Sequence, residues 1–155
     1  MLGMSVSIRP ARKEDIYTLL SIETAAFTGD RLSRRSFHHH MESETASLLV
    51  AEARGQIAGY ALLFHRRGGR SARLYSIAVS EPFKAKGIGR ALLEAAEAQA
   101  RALGRSTLTL EVREDNGPAA ELYRKASFAG AEKIANYYED GAPALRLRKS
   151  LESNP

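Results

Sequence analysis

A chain of 155 residues, 44% of them hydrophobic, is long enough for one domain with its own core and short for two, so a single domain over residues 1–155 is expected. It contains no cysteine, which excludes disulfides, thiolate metal sites and a cysteine-bound acyl intermediate, so any acyl transfer must be direct or use another nucleophile. The net charge of +5 suits an anionic partner without singling out nucleic acid, and no run of about 18 apolar residues is present to span a membrane.

In chain order, Met1 to Val6 lacks the basic segment and apolar stretch of a secretory leader, and a cytoplasmic protein is expected. Ser5 to Pro10 alternates Val6 and Ile8 with polar residues and reads as a strand that Pro10 ends. From about Lys13 to Phe27, Ile16, Leu19, Leu20, Ile22, Ala26 and Phe27 make an amphipathic stripe behind Glu14 and Asp15, which predicts a helix. Thr28-Gly29-Asp30 breaks it, and Ser33 is the cap of a second helix from Arg34 to about Met41. In that helix His38, His39 and His40 point about 100° apart, so they cannot converge on one metal ion, and no metal is expected.

Ser47 to Ala53 and Gln56 to Phe64 read as a hairpin joined at Arg54-Gly55. The glycine-containing basic tip Arg66 to Arg70 turns the chain into a third strand, Ala72 to Val79. A long helix follows, then Ser106 to Val112, with Leu108, Leu110 and Val112 on one face and Thr107, Thr109 and Glu111 on the other. This strand–helix–strand unit predicts a parallel pair with a right-handed crossover. Asn116 and Pro118 open a short helix to Ala126, and strands near Glu132 to Ala135 and from Ala142 to Lys149 complete the chain, with Leu151 to Pro155 expected to fray. The order β-α-α-β-β-β-α-β-α-β-β describes a mixed α/β sheet with helices on both faces.

The stretch that organises the chain is Ile77-Ala78-Val79 followed by Lys84-Ala85-Lys86-Gly87-Ile88-Gly89-Arg90. An apolar strand breaks at Pro82, crosses a basic loop with two glycines and enters a helix. Ile88, Leu92, Leu93, Ala96, Ala100 and Leu103 take one side of that helix and Arg90, Glu94, Glu97 and Arg101 mostly the other, until Gly104 ends it. Glycines allow close backbone approach, and the free N–H groups of the first turn attract an anion. A dinucleotide fingerprint would need a third glycine near Leu92, and a Walker loop would need Gly-Lys-Ser/Thr; both are absent.

The spelling Lys84-Ala85-Lys86-Gly87-Ile88-Gly89 resembles the acetyl-CoA signature of the Gcn5-related N-acetyltransferases (GNAT), with Lys84 where that family has Gln or Arg. The element order is similar to that fold over nearly the whole chain. The resemblance implies a central sheet of about seven strands in which the strands flanking the long helix splay apart to admit the pantetheine arm. It also implies acetyl-CoA as co-substrate, held by Ile77, Ala78 and Val79 and by the segment from Lys84 to Arg90.

Glu111 stands out unaided, as a carboxylate in the apolar strand Leu108 to Val112. Desolvation would make it a better base, while a structural pairing with Arg113 or Arg73 is the competing reading. Glu111-Val112-Arg113, Asn116, Leu122-Tyr123 and Asn136-Tyr137-Tyr138 together resemble the RimI-like ribosomal-protein alanine N-acetyltransferases. That resemblance implies Glu111 as general base, Tyr123 as the acid that protonates the CoA thiolate, and Asn116 as a cofactor contact. It also implies an acceptor pocket shaped by Tyr137 and Tyr138, with Phe27, Arg31 and Leu32 within reach. Tyr123 also reads as a core aromatic, and Asn136 to Gly141 as an ordinary hairpin end. The family usually has glycine where this chain has Ser127.

The function expected is acetyl transfer to a primary amine in a ternary complex, with a protein N-terminus as first candidate and a lysine side chain or small amine as alternatives. A non-catalytic basic binding module is the competing class, disfavoured because no helix carries a continuous basic face and no basic strand is interleaved with aromatics. Neither a membrane nor a nucleic acid is an expected partner, and the oligomeric state is left open.

Overall fold

The computed structural model describes residues 5–27, 29 and 31–152. The expectations for Met1 to Met4, for Thr28 and Asp30, and for Ser153 to Pro155 therefore lie outside the described residues. Strands β1 (Val6–Pro10), β2 (Ala46–Ala53), β3 (Gln56–Phe64), β4 (Ser71–Val79), β5 (Thr107–Arg113), β6 (Ala129–Ile134) and β7 (Ala144–Ser150) form one sheet in the order β1-β2-β3-β4-β5-β7-β6. Helices α1 (Ile16–Ala26), α2 (Arg34–Glu42), α3 (Ile88–Ala102) and α4 (Gly117–Lys125) connect them. The β4–β5 pair is parallel and every other neighbouring pair antiparallel. The expected mixed α/β sheet is thus present.

Each face of the sheet has its own apolar layer. On one, α3 buries Ile88, Leu92, Leu93, Ala96 and Ala100 against Ala61, Leu63, Leu74, Leu108, Leu110 and Val112. Fully burying a leucine there contributes about 1.5–3 kcal/mol. On the other, α1 and α2 set Ile16, Leu19, Ile22 and Phe37 against Leu48, Val50, Tyr60, Leu62 and Ala78. Local sequence explains the helix starts: the Ser33 hydroxyl accepts the Ser36 N–H at 3.1 Å, and the Asn116 side chain accepts the Ala119 N–H at 3.2 Å.

β4 changes register against β3 between the pairs Leu62–Ser76 and Leu63–Leu74, leaving Tyr75 as the extra residue of a bulge. Ala72 and Leu74 before it, and Ile77 and Val79 after it, all join the α3 layer, while Ala78 joins the α1 layer. A second consequence is a fork. β4 pairs with β5 only from Ser71–Thr107 to Leu74–Leu110, and beyond that row the two strands part. The splay expected between the strands flanking α3 is therefore real, and it begins one residue before Glu111.

Three expectations need correcting. Leu151, expected to fray, is 4% exposed and its N–H meets the Ser106 carbonyl at 2.8 Å, because the end of β7 closes the α3 layer. Glu97, assigned to the polar side of α3, is buried and accepts from Lys149 Nζ at 2.6 Å, tying α3 to β7. β6 begins at Ala129 rather than Glu132. An irregularity between Ala129 and Glu132, with Gly130 at φ +85°, interrupts the alternation there.

Candidate active site

The loop into α3 is built to leave donors free. Gly87, the N-cap, sits at φ +83°, a left-handed conformation that glycine adopts without penalty, and it has no side chain to satisfy the helix's first N–H groups. Ala85 is also left-handed at φ +60°, at a cost of roughly 1–2 kcal/mol for a residue with a Cβ. Such strain persists only where the surroundings impose it, and it collects at ligand-binding loops. A Cβ built on Gly89 would come no closer than 3.6 Å to Leu122 and 3.9 Å to Val79, so the packing of the protein itself does not demand glycine there. Lys84 pairs with Glu81 at 3.0 Å and Arg90 with Glu94 at 3.1 Å. Both pairs are exposed and weak enough to yield to a phosphate. Lys86 is exposed and, among the described residues, forms no ion pair.

Beyond the fork, Ile77, Ala78 and Val79 bond to β3 on one side only and present their other backbone edge to the gap. Free strand edge, unpaired helical N–H groups and a glycine with room beside it fit the pantetheine arm and pyrophosphate of acetyl-CoA.

Glu111 is the first β5 residue past the last β4 pair, and its side chain is only 6% exposed. Its charge is paired within the protein. Its Oε1 accepts from Arg73 Nε at 2.7 Å and from the Tyr137 hydroxyl at 3.3 Å, and its Oε2 accepts from Arg146 Nε at 3.0 Å. The Tyr137 hydroxyl in turn accepts from Arg73 Nη2 at 2.9 Å. Two guanidiniums thus offset a charge that would otherwise be costly to bury. Arg73 was one of the partners considered for it; Arg113 is instead bound to Asp140 at 2.8 Å and to Asp115 at 3.1 Å. Arg146 was missed. Its signal was a charged residue between Leu145 and Leu147 on β7, which sequence alone does not align with Glu111.

Tyr123 lies on α4, half-buried, its ring edge-on to Phe128 with centroids 5.9 Å apart. Burial, reinforced by nearby Tyr138, pushes its phenol up to about 12. The helix end holds despite the absent glycine, since Ser127 itself adopts φ +75° and Phe128 N–H reaches the Tyr123 carbonyl at 3.0 Å. Asn116 uses its Oδ1 to cap α4, which leaves its amide NH₂ for a ligand.

The turn from Asn136 to Gly141 joins this group. Tyr137 and Tyr138 pack edge-to-face at 4.9 Å, and Arg113 stacks over Tyr138 at 5.0 Å while holding Asp140. Burial also raises Tyr138 to about 12. Arg31 donates to the Phe27 carbonyl at 2.6 Å and the Thr24 carbonyl at 3.2 Å, so it serves the end of α1 and does not stand as a free pocket cation. Leu32 and Phe27 pack on the α1 layer, and Leu32 N–H is bound by Glu23 at 2.7 Å. Buried Glu23, which also accepts from the Tyr60 hydroxyl, is a second carboxylate the sequence reading missed. It sits on the apolar side of α1, where the periodicity predicted only hydrophobic packing.

Comparison with known proteins accords with this geometry. Residues 13–128 match the model of the acetyltransferase (GNAT) family. The chain is 31% identical to an N-alpha-acetyltransferase of Sulfurisphaera tokodaii, over 96% of this chain and 95% of that one. It is also 31% identical to a putative ribosomal protein bS18 alanine N-acetyltransferase of Bacillus subtilis, over 90% and 91%. The crystal structure of the ribosomal-protein-S18-alanine N-acetyltransferase from Escherichia coli superposes with a TM-score of 0.85 at 27% identity, covering 97% of each chain. The chain therefore belongs to the GNAT acetyltransferase family and is an acetyl-CoA-dependent N-acetyltransferase.

Proposed function

We propose that the protein acetylates the N-terminal amine of a protein acceptor, with Glu111 and Tyr123 as its catalytic pair. The observation that carries this reading is the placement of a buried carboxylate at the point where β4 and β5 part, with the cofactor loop along one strand and the Tyr137–Tyr138 turn beside it. The activities named for the relatives, N-alpha and ribosomal-protein alanine acetylation, support a protein N-terminus as the acceptor.

When bound, acetyl-CoA supplies an acetyl group activated as a thioester. Ile77, Ala78 and Val79 would hold its pantetheine arm, the N–H groups from Gly87 to Arg90 with Lys84 and Lys86 its pyrophosphate, and Asn116 a polar atom of the arm. As the acceptor nitrogen bonds to the acetyl carbon and the carbon–sulfur bond breaks, the nitrogen loses one proton and the sulfur gains one. Glu111 takes the first, directly or through water, at Oε2, the oxygen with a single protein donor. The Tyr123 phenol, neutral at working pH, provides the second.

Thiol release in the presence of acetyl-CoA tests the acceptor. Peptides with free N-termini are expected to turn over faster than the same peptides with blocked N-termini and one internal lysine, and faster than polyamines. The opposite ranking would reject the N-terminal assignment and leave a general amine acetyltransferase.

A further inference from the structure

On the sheet face opposite α3, cross-strand register extends a row of arginines from the catalytic carboxylate onto β7. Arg73 of β4 pairs with Thr109 of β5, and Thr109 pairs with Arg148 of β7, so the three share one face. The adjoining row is Glu111 and Arg146. The helices of this face, α1 and α2, make their main contacts with β2, β3 and β4 rather than with β5 and β7. Arg73 and Arg146 remain 40% and 38% exposed even while bound to Glu111. Arg148 is exposed and, among the described residues, forms no ion pair.

Charge does not cancel across this shelf. The shelf holds three guanidiniums, of Arg73, Arg146 and Arg148, and two carboxylates: buried Glu111, bound by the first two, and solvent-exposed Glu132, which approaches Arg146 at 3.6 Å. Tyr75, 43% exposed beside the β4 bulge with the Arg73 guanidinium 5.5 Å from its ring centre, extends the shelf with an apolar surface. We infer that this arginine shelf selects acceptors that carry carboxylates within the first few residues after the reacting amine. The inference rests on the N-terminal reading above and deepens it.

The spacing supports that position. An extended acceptor whose amine meets Glu111 and which runs from Arg146 toward Arg148 along β7 advances about 3.3 Å per residue, with neighbouring strands about 4.8 Å apart, so that its second to fourth residues come over these two arginines. Carboxylates there meet forked donors suited to them, whereas lysines or arginines meet like charge.

The test uses the intact enzyme, acetyl-CoA and matched peptides sharing one first residue, with acidic, neutral or basic residues at positions two to four. The acidic series is expected to exceed the neutral one in kcat/KM by about five- to tenfold, mainly through KM, and to lose the advantage as salt is raised. Arg148→Glu should invert the acidic-to-basic ratio and Arg148→Lys retain most of it, with melting temperature and acetyl-CoA affinity serving as checks on the fold. Peptides acetylated without regard to charge, or with a basic preference, would overturn this inference and leave the N-terminal reading standing. No acetylation of any peptide N-terminus would reject both. Salt-sensitive capture of a single-stranded oligonucleotide, combined with charge-indifferent turnover, would assign the shelf to phosphates and equally overturn it.

Discussion

At the scale of the residue, Glu111 combines burial with three donor contacts, and removing its charge separates chemistry from architecture. Glu111→Gln should lower kcat by roughly 10²–10⁴ while acetyl-CoA affinity, measured by calorimetry, stays unchanged. The stability loss should be modest, because Arg73 and Arg146 are 40% and 38% exposed and water can solvate them. A folded variant with full kcat would make Glu111 an anchor for the two arginines and nothing more. Tyr123 offers a second check. With its phenol near 12 and a thiol ordinarily near about 8.5, a resting proton transfer to sulfur is uphill, so the phenol acts as a hydrogen-bond donor that yields its proton only as the carbon–sulfur bond breaks. Tyr123→Phe should therefore reduce kcat far more than it raises the KM for acetyl-CoA. The kcat profile between about pH 6 and 9 should keep its shape, since the phenol is neutral throughout that range. A limb that disappears from this range in the variant would refute the assignment. Glu111 was legible in the sequence because a carboxylate in an apolar strand is anomalous. Arg146 was not, being 35 residues away and brought alongside only by the β5–β7 register.

At the scale of the element, the start of α3 shows a loop shaped for something other than its own stability. Gly89→Ala meets only ordinary contacts at 3.6 and 3.9 Å and places a better helix former in the first turn. Stability should hold or rise by up to about 1 kcal/mol while acetyl-CoA affinity falls, as read by urea denaturation and calorimetry. Gly87→Ala, at φ +83°, should instead lose roughly 1 kcal/mol of stability. If Gly89→Ala binds acetyl-CoA as tightly as the parent, the phosphate site lies elsewhere. The long amphipathic pattern of α3 and the caps Ser33 and Asn116 were readable because helix starts are written in local chemistry. The buried pair of Glu97 with Lys149 was not, since 52 residues separate its partners.

At the scale of the molecule, one sheet carries two apolar layers, so loss of either exposes the other, and we expect a single cooperative unfolding transition whose fluorescence and circular-dichroism midpoints coincide. Two separable transitions would divide the chain. Its acid limb should involve His65, which is buried against Ser47 with ring–hydroxyl separation 2.9 Å and whose pKa is lowered by burial and then by Arg105. A lowered folded pKa means that the unfolded chain binds the proton more readily. Stability is therefore complete above the ordinary value of about 6.5 and falls as pH drops through it toward the folded value. His65→Gln should flatten that part of the pH dependence, and an unaltered slope would exclude His65 as its source. The sequence by itself determined what depends on neighbours along the chain: the alternation of strands, the period of α3, the helix caps, the glycine loop, and through their spelling the family. Tertiary structure alone decided the fork between β4 and β5, the bulge at Tyr75, the recruitment of Arg31 to the end of α1, and the convergence of Arg73, Tyr137 and Arg146 on Glu111. Those depend on strand order and register, which are set by the packing of both faces at once and by contacts between residues far apart in the chain.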